Sequence, residues 1–289
     1  MNERFGDDRK TLSIITTGID RNKNRIFLAN LYDGENLKQY KFPEDKEDFE
    51  NDIRDLKVIT YNGGSFDIPF LKANGISVSE NFDLYSFFKS YKLLGLQSLK
   101  FKDVYKFFTS KETDELEARD AVKLIKEYEK NNDEDSLKSI LEHGERHIKN
   151  LYKLYGEVEK DLIKKELELE VYNKNIKMTP YSFKEEGDYF DIELLNMDEY
   201  INMNLDYDCF SLFSKDSNYI LRFKTIKGYL DQNTIGTCVI TDLELKDEDF
   251  PMLNKNLYPV VVDEVKIDNV KRLAVEAIES VDKRLEIRS

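Results

Sequence analysis

The stretch Tyr61-Asn62-Gly63-Gly64-Ser65-Phe66-Asp67-Ile68-Pro69-Phe70-Leu71 constrains this chain more than any other. It follows the apolar run Val58-Ile59-Thr60, so a buried strand ends here in a polar turn. The turn delivers one carboxylate, Asp67, to the start of the next element, among Phe66, Ile68, Phe70 and Leu71. A carboxylate at the end of a buried strand is costly unless something pairs with it. Asp67 is therefore the first candidate for chemistry. The bland alternative is a helix cap, in which Ser65 or Asp67 accepts free backbone N–H groups. Asn62 reads equally as a turn residue.

Around this segment the chain alternates strands and helices. Thr11 to Thr16 and Arg25 to Leu31 are strand-like, and Leu37 to Phe42 adds a third, giving an antiparallel meander. Phe49, Ile53 and Leu56 share one face of a helix over 45–56. A buried strand over 58–61 and a helix holding Phe70 and Leu71 follow. This order predicts a mixed sheet covered by helices. From Asp83 to Tyr172 the period is helical almost throughout, with helices over 116–128, 137–155 and 158–172. Composition shifts near Asn173. Strand-like runs at 189–192, 219–223, 237–240 and 259–262 precede an amphipathic helix over 269–285.

Three segments resemble the motifs of the ribonuclease H-like 3′–5′ exonucleases, in particular the YprB-like branch. Leu12-Ser13-Ile14-Ile15-Thr16-Thr17-Gly18-Ile19-Asp20 resembles the first motif, and Asn62 to Asp67 the second. His143-Gly144-Glu145-Arg146-His147 resembles the third. The resemblance implies an α/β fold: a ribonuclease H-like mixed β-sheet flanked by α-helices over residues 8–172. A smaller α+β C-terminal region over 177–289, of unknown role, lies outside it. It also implies a nuclease chemistry in which paired Mg²⁺ or Mn²⁺ ions, held by four carboxylates, activate water on a phosphodiester.

Residue by residue, that chemistry is depleted here. Asp67 keeps its carboxylate, and His143 stands at the water-orienting position. Ser13, Ile15 and His147 occupy positions where the family has carboxylates. One carboxylate and two imidazoles cannot neutralise a pair of divalent ions. The leading expectation is an inactive member that binds nucleic acid or serves as a scaffold, with no cofactor. An active 3′–5′ exonuclease with a rearranged metal site is the alternative, with Asp20, Glu145 or Asp120 as the substitute acid. Another is a protein-interaction module that ignores nucleic acid. As the chain's two histidines, His143 and His147 lie one helical turn apart. With Asp67 they make a candidate metal site, Asp67 and His147 foremost.

Partners are read from charge. A formal charge of −14 argues against a general electrostatic grip on nucleic acid. Against that background Lys89, Lys92, Lys100, Lys102, Lys106 and Lys111 alternate with Phe87, Phe88, Tyr91, Phe101, Tyr105, Phe107 and Phe108. Bases beside stacking platforms suit single-stranded nucleic acid, with Asn62 nearby in the family's groove. The alternative is a pair of helices whose aromatics are core. Cys209 and Cys238 give neither metal spacing nor a disulfide framework. The polar start and the lack of a long apolar run predict a cytoplasmic protein with no membrane partner.

Overall fold

Strand β1 (Lys10–Thr16) is the middle of a five-stranded sheet, and the rest of the N-terminal half is arranged around it. The computed structural model describes residues 9–113, 116–171 and 173–286. Residue 8, Tyr172 and residues 287–289, which bound the regions expected from sequence, lie outside the described residues. The chain divides into two units. One holds the described residues up to Lys89 together with Gln97–Lys160. The other holds Ser90–Leu96 together with the described residues from Asp161 onward.

In the first unit, β2 (Ile26–Tyr32) and β3 (Leu37–Lys41) extend the sheet antiparallel on one side of β1. On the other side β4 (Lys57–Thr60) and then β5 (Glu80–Asp83) run parallel to it, giving the order β3-β2-β1-β4-β5. Connections over α1 (Lys46–Ile53) and α2 (Asp67–Ala73) make the parallel pairings possible. The expected meander and mixed sheet are thus present. The period-2 alternation of β1 sorts its side chains. Leu12 and Ile14 join a core with Phe49, Ile53, Phe70 and Leu71, while Ile15 packs on the opposite face with Phe27, Leu28, Ile125 and Ile140.

That opposite face is covered by α5 (Ala118–Asn131) and α6 (Glu134–Lys164), with α3 (Leu84–Ser90) and α4 (Phe101–Thr109) preceding them. The sequence predicts separate helices over 137–155 and 158–172, and Gly156 lies between them. Instead α6 is one helix, because Ile140, Gly144, Ile148, Leu151, Tyr155, Val158 and Leu162 form one unbroken buried stripe. A packed stripe outweighs the roughly 1 kcal/mol that one glycine costs. Gly144 is required: a β-carbon there would meet the Asn30 amide at 2.8 Å.

In the second unit the helix expected over 158–172 gives way to β6 (Leu167–Val171). Its Leu-Glu alternation favours helix by composition, but its period is 2, burying Leu169 and Val171 together. β6 opens an antiparallel sheet with β7 (Lys174–Glu186), β8 (Tyr189–Asn196), β9 (Asn204–Asp206), β10 (Phe210–Lys215), β11 (Asn218–Tyr229), β12 (Ile235–Ile240), β13 (Leu257–Val262) and β14 (Glu264–Val265). The closing helix α7 (Ile267–Glu286) buries Val270, Leu273, Ala277 and Val281, and it packs on β6 and β13. Both cysteines are free thiols, and burial pushes Cys238 up to about 11. No helix among the described residues is long and apolar enough to cross a membrane.

Phe49 is fully buried, with Tyr40 and Phe42 rings 5.1 and 5.6 Å away. Phe49→Ala should cost about 3–5 kcal/mol in urea unfolding of the first unit. A loss under about 1 kcal/mol would contradict this core.

Candidate functional site

The site begins where β4 leaves the sheet. β1 and β4 pair in register at Lys10–Val58 and Thr11–Ile59, and no further. Beyond that point the Ile14 N–H would face no strand partner. Asp67 takes the strand's place: its Oδ1 accepts the Ile14 N–H at 2.9 Å. This corrects the cap expectation. The residue before α2 is Phe66, and no side-chain cap bond forms there; Ser65 donates instead to Asn62, at 2.5 Å to its Oδ1. The Asp67 carboxylate closes a gap in the central ladder, where an unpaired buried N–H would be costly.

Asp67 is only 7% exposed. Burial pushes its carboxyl up from 3.8 to about 6. The Ile14 N–H, the charge of His147 and Asp67's own N–H pull the other way, and Asp83 adds to the rise. Asp83 is an acid that the motif pattern does not reveal. It accepts from the Asn62 N–H at 2.7 Å, the Gly64 N–H at 3.1 Å, the Tyr85 N–H at 3.1 Å and the Ser86 hydroxyl at 3.1 Å. It therefore fixes the turn that delivers Asp67. Asn62 is the turn residue at left-handed φ (62°), and Gly63 leaves room that a β-carbon would fill at 2.2 Å from Thr60. An acid ending a short strand before a helix was the available signal.

The three positions that lack an expected carboxylate are each built into the packing. Ser13 Oγ accepts from Asn30 at 3.3 Å. Gln39 donates both to the Asn30 side-chain Oδ1 and to the Leu141 backbone carbonyl, 2.9 Å each, which ties β1, β2 and β3 to α6. Ile15 lies in the apolar cluster between sheet and helices. His147 lies against Phe101, ring centres 4.9 Å apart, and His143 Nδ1 accepts the Leu116 N–H at 3.3 Å. The two imidazole centres are 6.3 Å apart. The substitute acids are engaged elsewhere: Asp20 within its own turn, Asp120 with Lys123, Glu145 with Lys149. Among the described residues no three His, Cys, Asp or Glu side chains group as a metal site. One buried carboxylate, a hydroxyl, a branched alkyl chain and imidazoles do not fit the oxygen-rich shell that a pair of hard divalent ions requires.

Between β1, α5 and α6 lies a cleft of about 640 Å³. Ser13, Ile15, Phe66, His143 and His147 are in its walls, and Asp67 is not. The base-and-aromatic segment divides differently from expectation. Phe87, Phe88, Tyr91 and Tyr105 are buried, so they cannot offer faces to bases; Phe107 is 54% exposed. Their reason is mutual packing, such as Phe88 on Phe108 at 5.5 Å. Lys89, Lys100, Lys102 and Lys106 are exposed, with Lys106 paired to Glu112 at 2.8 Å. Lys92, in the second unit, donates to the Phe183 carbonyl at 3.0 Å and sits over its ring.

A family model for the RNase H superfamily matches residues 12–159, and the chain belongs to that superfamily. Solved structures to which the chain is similar include a nuclease in its apo form. It is 14% identical with a TM-score of 0.40, over 54% of this chain and 73% of the nuclease. Brucella melitensis NrnC with bound Mg²⁺ is 12% identical with a TM-score of 0.41, over 56% and 77% of the two chains. NrnC bound to pGG is 13% identical with a TM-score of 0.35, over 56% and 89%. Among curated proteins there is no match.

The raised Asp67 value sets a sign. Below pH 3.8 both folded and unfolded states are protonated and nothing is lost. Between 3.8 and about 6 the unfolded state releases its proton first, so stability falls as pH rises, and the cost is complete above about 6. Asp67→Asn can keep the Ile14 bond without the charge. It should therefore be more stable than the parent at pH 8, with the gap closing near pH 4. Asp67→Ala should lose about 1–3 kcal/mol near pH 4, because Ile14 N–H is orphaned, and less at pH 8, where the parent carries the cost of the buried charge. Denaturant titrations of the three proteins measure this; an Asn variant destabilised at pH 8 would contradict it.

Proposed function

We propose that this chain is an RNase H-like, YprB-like family member that has lost two-metal hydrolysis and binds single-stranded nucleic acid as a non-catalytic module. The observation that carries this reading is the identity of Ser13, Ile15 and His147 at the three positions where the family has acids. A catalytic centre of this type works by neutralising phosphoryl charge with paired ions, and the ions need anionic ligands. With Asp67 held to the Ile14 backbone, the groove offers histidines and apolar side chains in their place. Exposed Lys100 and Lys102 at the start of α4 supply phosphate contacts, with Lys89 and Lys106 beside them in sequence.

The test is a nuclease assay on labelled single-stranded DNA and RNA with Mg²⁺ or Mn²⁺. The expected outcome is intact substrate. Processive nucleotide release that Asp67→Ala abolishes would overturn the reading. Binding is checked in parallel by a salt series. Lys100→Glu with Lys102→Glu should weaken binding and lower the log–log salt slope by about 1 for each phosphate no longer neutralised. An unchanged slope would move the role to a protein scaffold.

A further inference from the structure

The cleft between β1, α5 and α6 differs in kind from the rest of this acidic surface. Its walls are apolar, from Ile15, Phe66, Leu116, Ala121 and Val122. One rim carries Arg119, Lys123 and Lys126, all exposed. Their i, i+4, i+7 spacing puts the three cations on a single face of α5. His143 and His147 line the same cleft from α6. Among the described residues no Asp or Glu lines it, on a chain whose formal charge is −14. Lys123 does pair with Asp120 at 2.8 Å, but an exposed pair of this kind is weak and is easily exchanged.

Three polar groups in the walls are engaged inside the protein. Ser13 Oγ accepts from Asn30, Thr16 Oγ1 donates to the Gly18 carbonyl, and His143 Nδ1 accepts from Leu116. A sugar or a base would need such groups to read its edges; an apolar body needs only the walls. The volume of about 640 Å³ suits a small-molecule ligand. A cationic rim above an apolar cleft with no acid among its described lining residues focuses field toward one negative head group.

We infer that this cleft is a metal-independent binding site for an amphiphilic monocarboxylate, its chain or ring system against Ile15, Phe66 and Val122 and its carboxylate at Arg119, Lys123 and Lys126. The inference goes beyond the nucleic-acid reading and does not use the α4 lysines, so the two fail separately: the oligonucleotide assays test one and the following titration the other.

The full chain is titrated with dansyl-undecanoate in EDTA, and fluorescence is followed. The expected result is saturable binding that decanoate displaces about tenfold more effectively than decanol, a difference that reports the head-group charge. Lys123→Glu with Lys126→Glu should weaken binding about tenfold. Val122→Trp should fill the cleft and remove binding. Folding of each variant is checked by urea unfolding, and if Val122→Trp does not fold, the exposed charge pair decides alone. The inference is overturned by an absence of saturable binding, by equal displacement with decanol and decanoate, by a folded charge variant that binds as the parent does, or by displacement with a dinucleotide and not with decanoate.

Discussion

The hydrogen bond from the Ile14 N–H to the Asp67 carboxylate joins the end of the β1–β4 pairing to the first turn of α2. β4 stops pairing at Ile59, and the ladder would be open beyond it. The carboxylate closes that gap, and Asp83 holds the turn from which it comes. Much of the site follows from this arrangement. Ser13 and Ile15 alternate with Ile14, so fixing β1 turns them toward α5 and α6 and leaves Leu12 and Ile14 in the opposite core. Asn30, Gln39 and Gly144 then set how closely α6 approaches the sheet.

The same bond gives Asp67 a task in the fold that does not depend on metal. A carboxylate that only bound metal would be a liability in a buried position without metal. Asp67 has a structural task as well: its carboxylate supplies the acceptor that the Ile14 N–H needs, although burial disfavours its charge. Ser13, Ile15 and His147 contribute packing: Ile15 apolar contact, Ser13 a hydrogen bond, His147 a ring contact with Phe101. The result is a cleft with little negative charge in a strongly negative protein, which suits an anion held directly better than a cation held by acids.

Much of the first sheet was legible because its signals are local. Val58 to Thr60 followed by Asn62-Gly63-Gly64 marks a strand end, and the β-branched and apolar runs of β1 and β2 mark strands. Motif spacing brought Ser13, Ile15, Asp67, His143 and His147 to one region. The partner of Asp67 was not legible, because it is a backbone N–H 53 positions away whose need arises only where β4 leaves the ladder. Asp83 was hidden inside a strand too short to show a period. β6 reads as helix by composition because Leu and Glu favour helices, while their order alternates. β7 carries charged ends and a proline at a bulge, which mask its length. The aromatics of 87–108 were ambiguous for a plain reason: composition cannot separate a stacking face from a core face.

The account rests on Asp67 serving the fold and lacking the acids that would make it a metal ligand. The most direct measurement is a Mn²⁺ titration of the purified chain near pH 7.5, followed by electron paramagnetic resonance. The account predicts that the aquo-ion spectrum persists at stoichiometric metal, and that Asp67→Asn gives the same curve. Tight binding of a pair of ions per chain, abolished in Asp67→Asn, would contradict it.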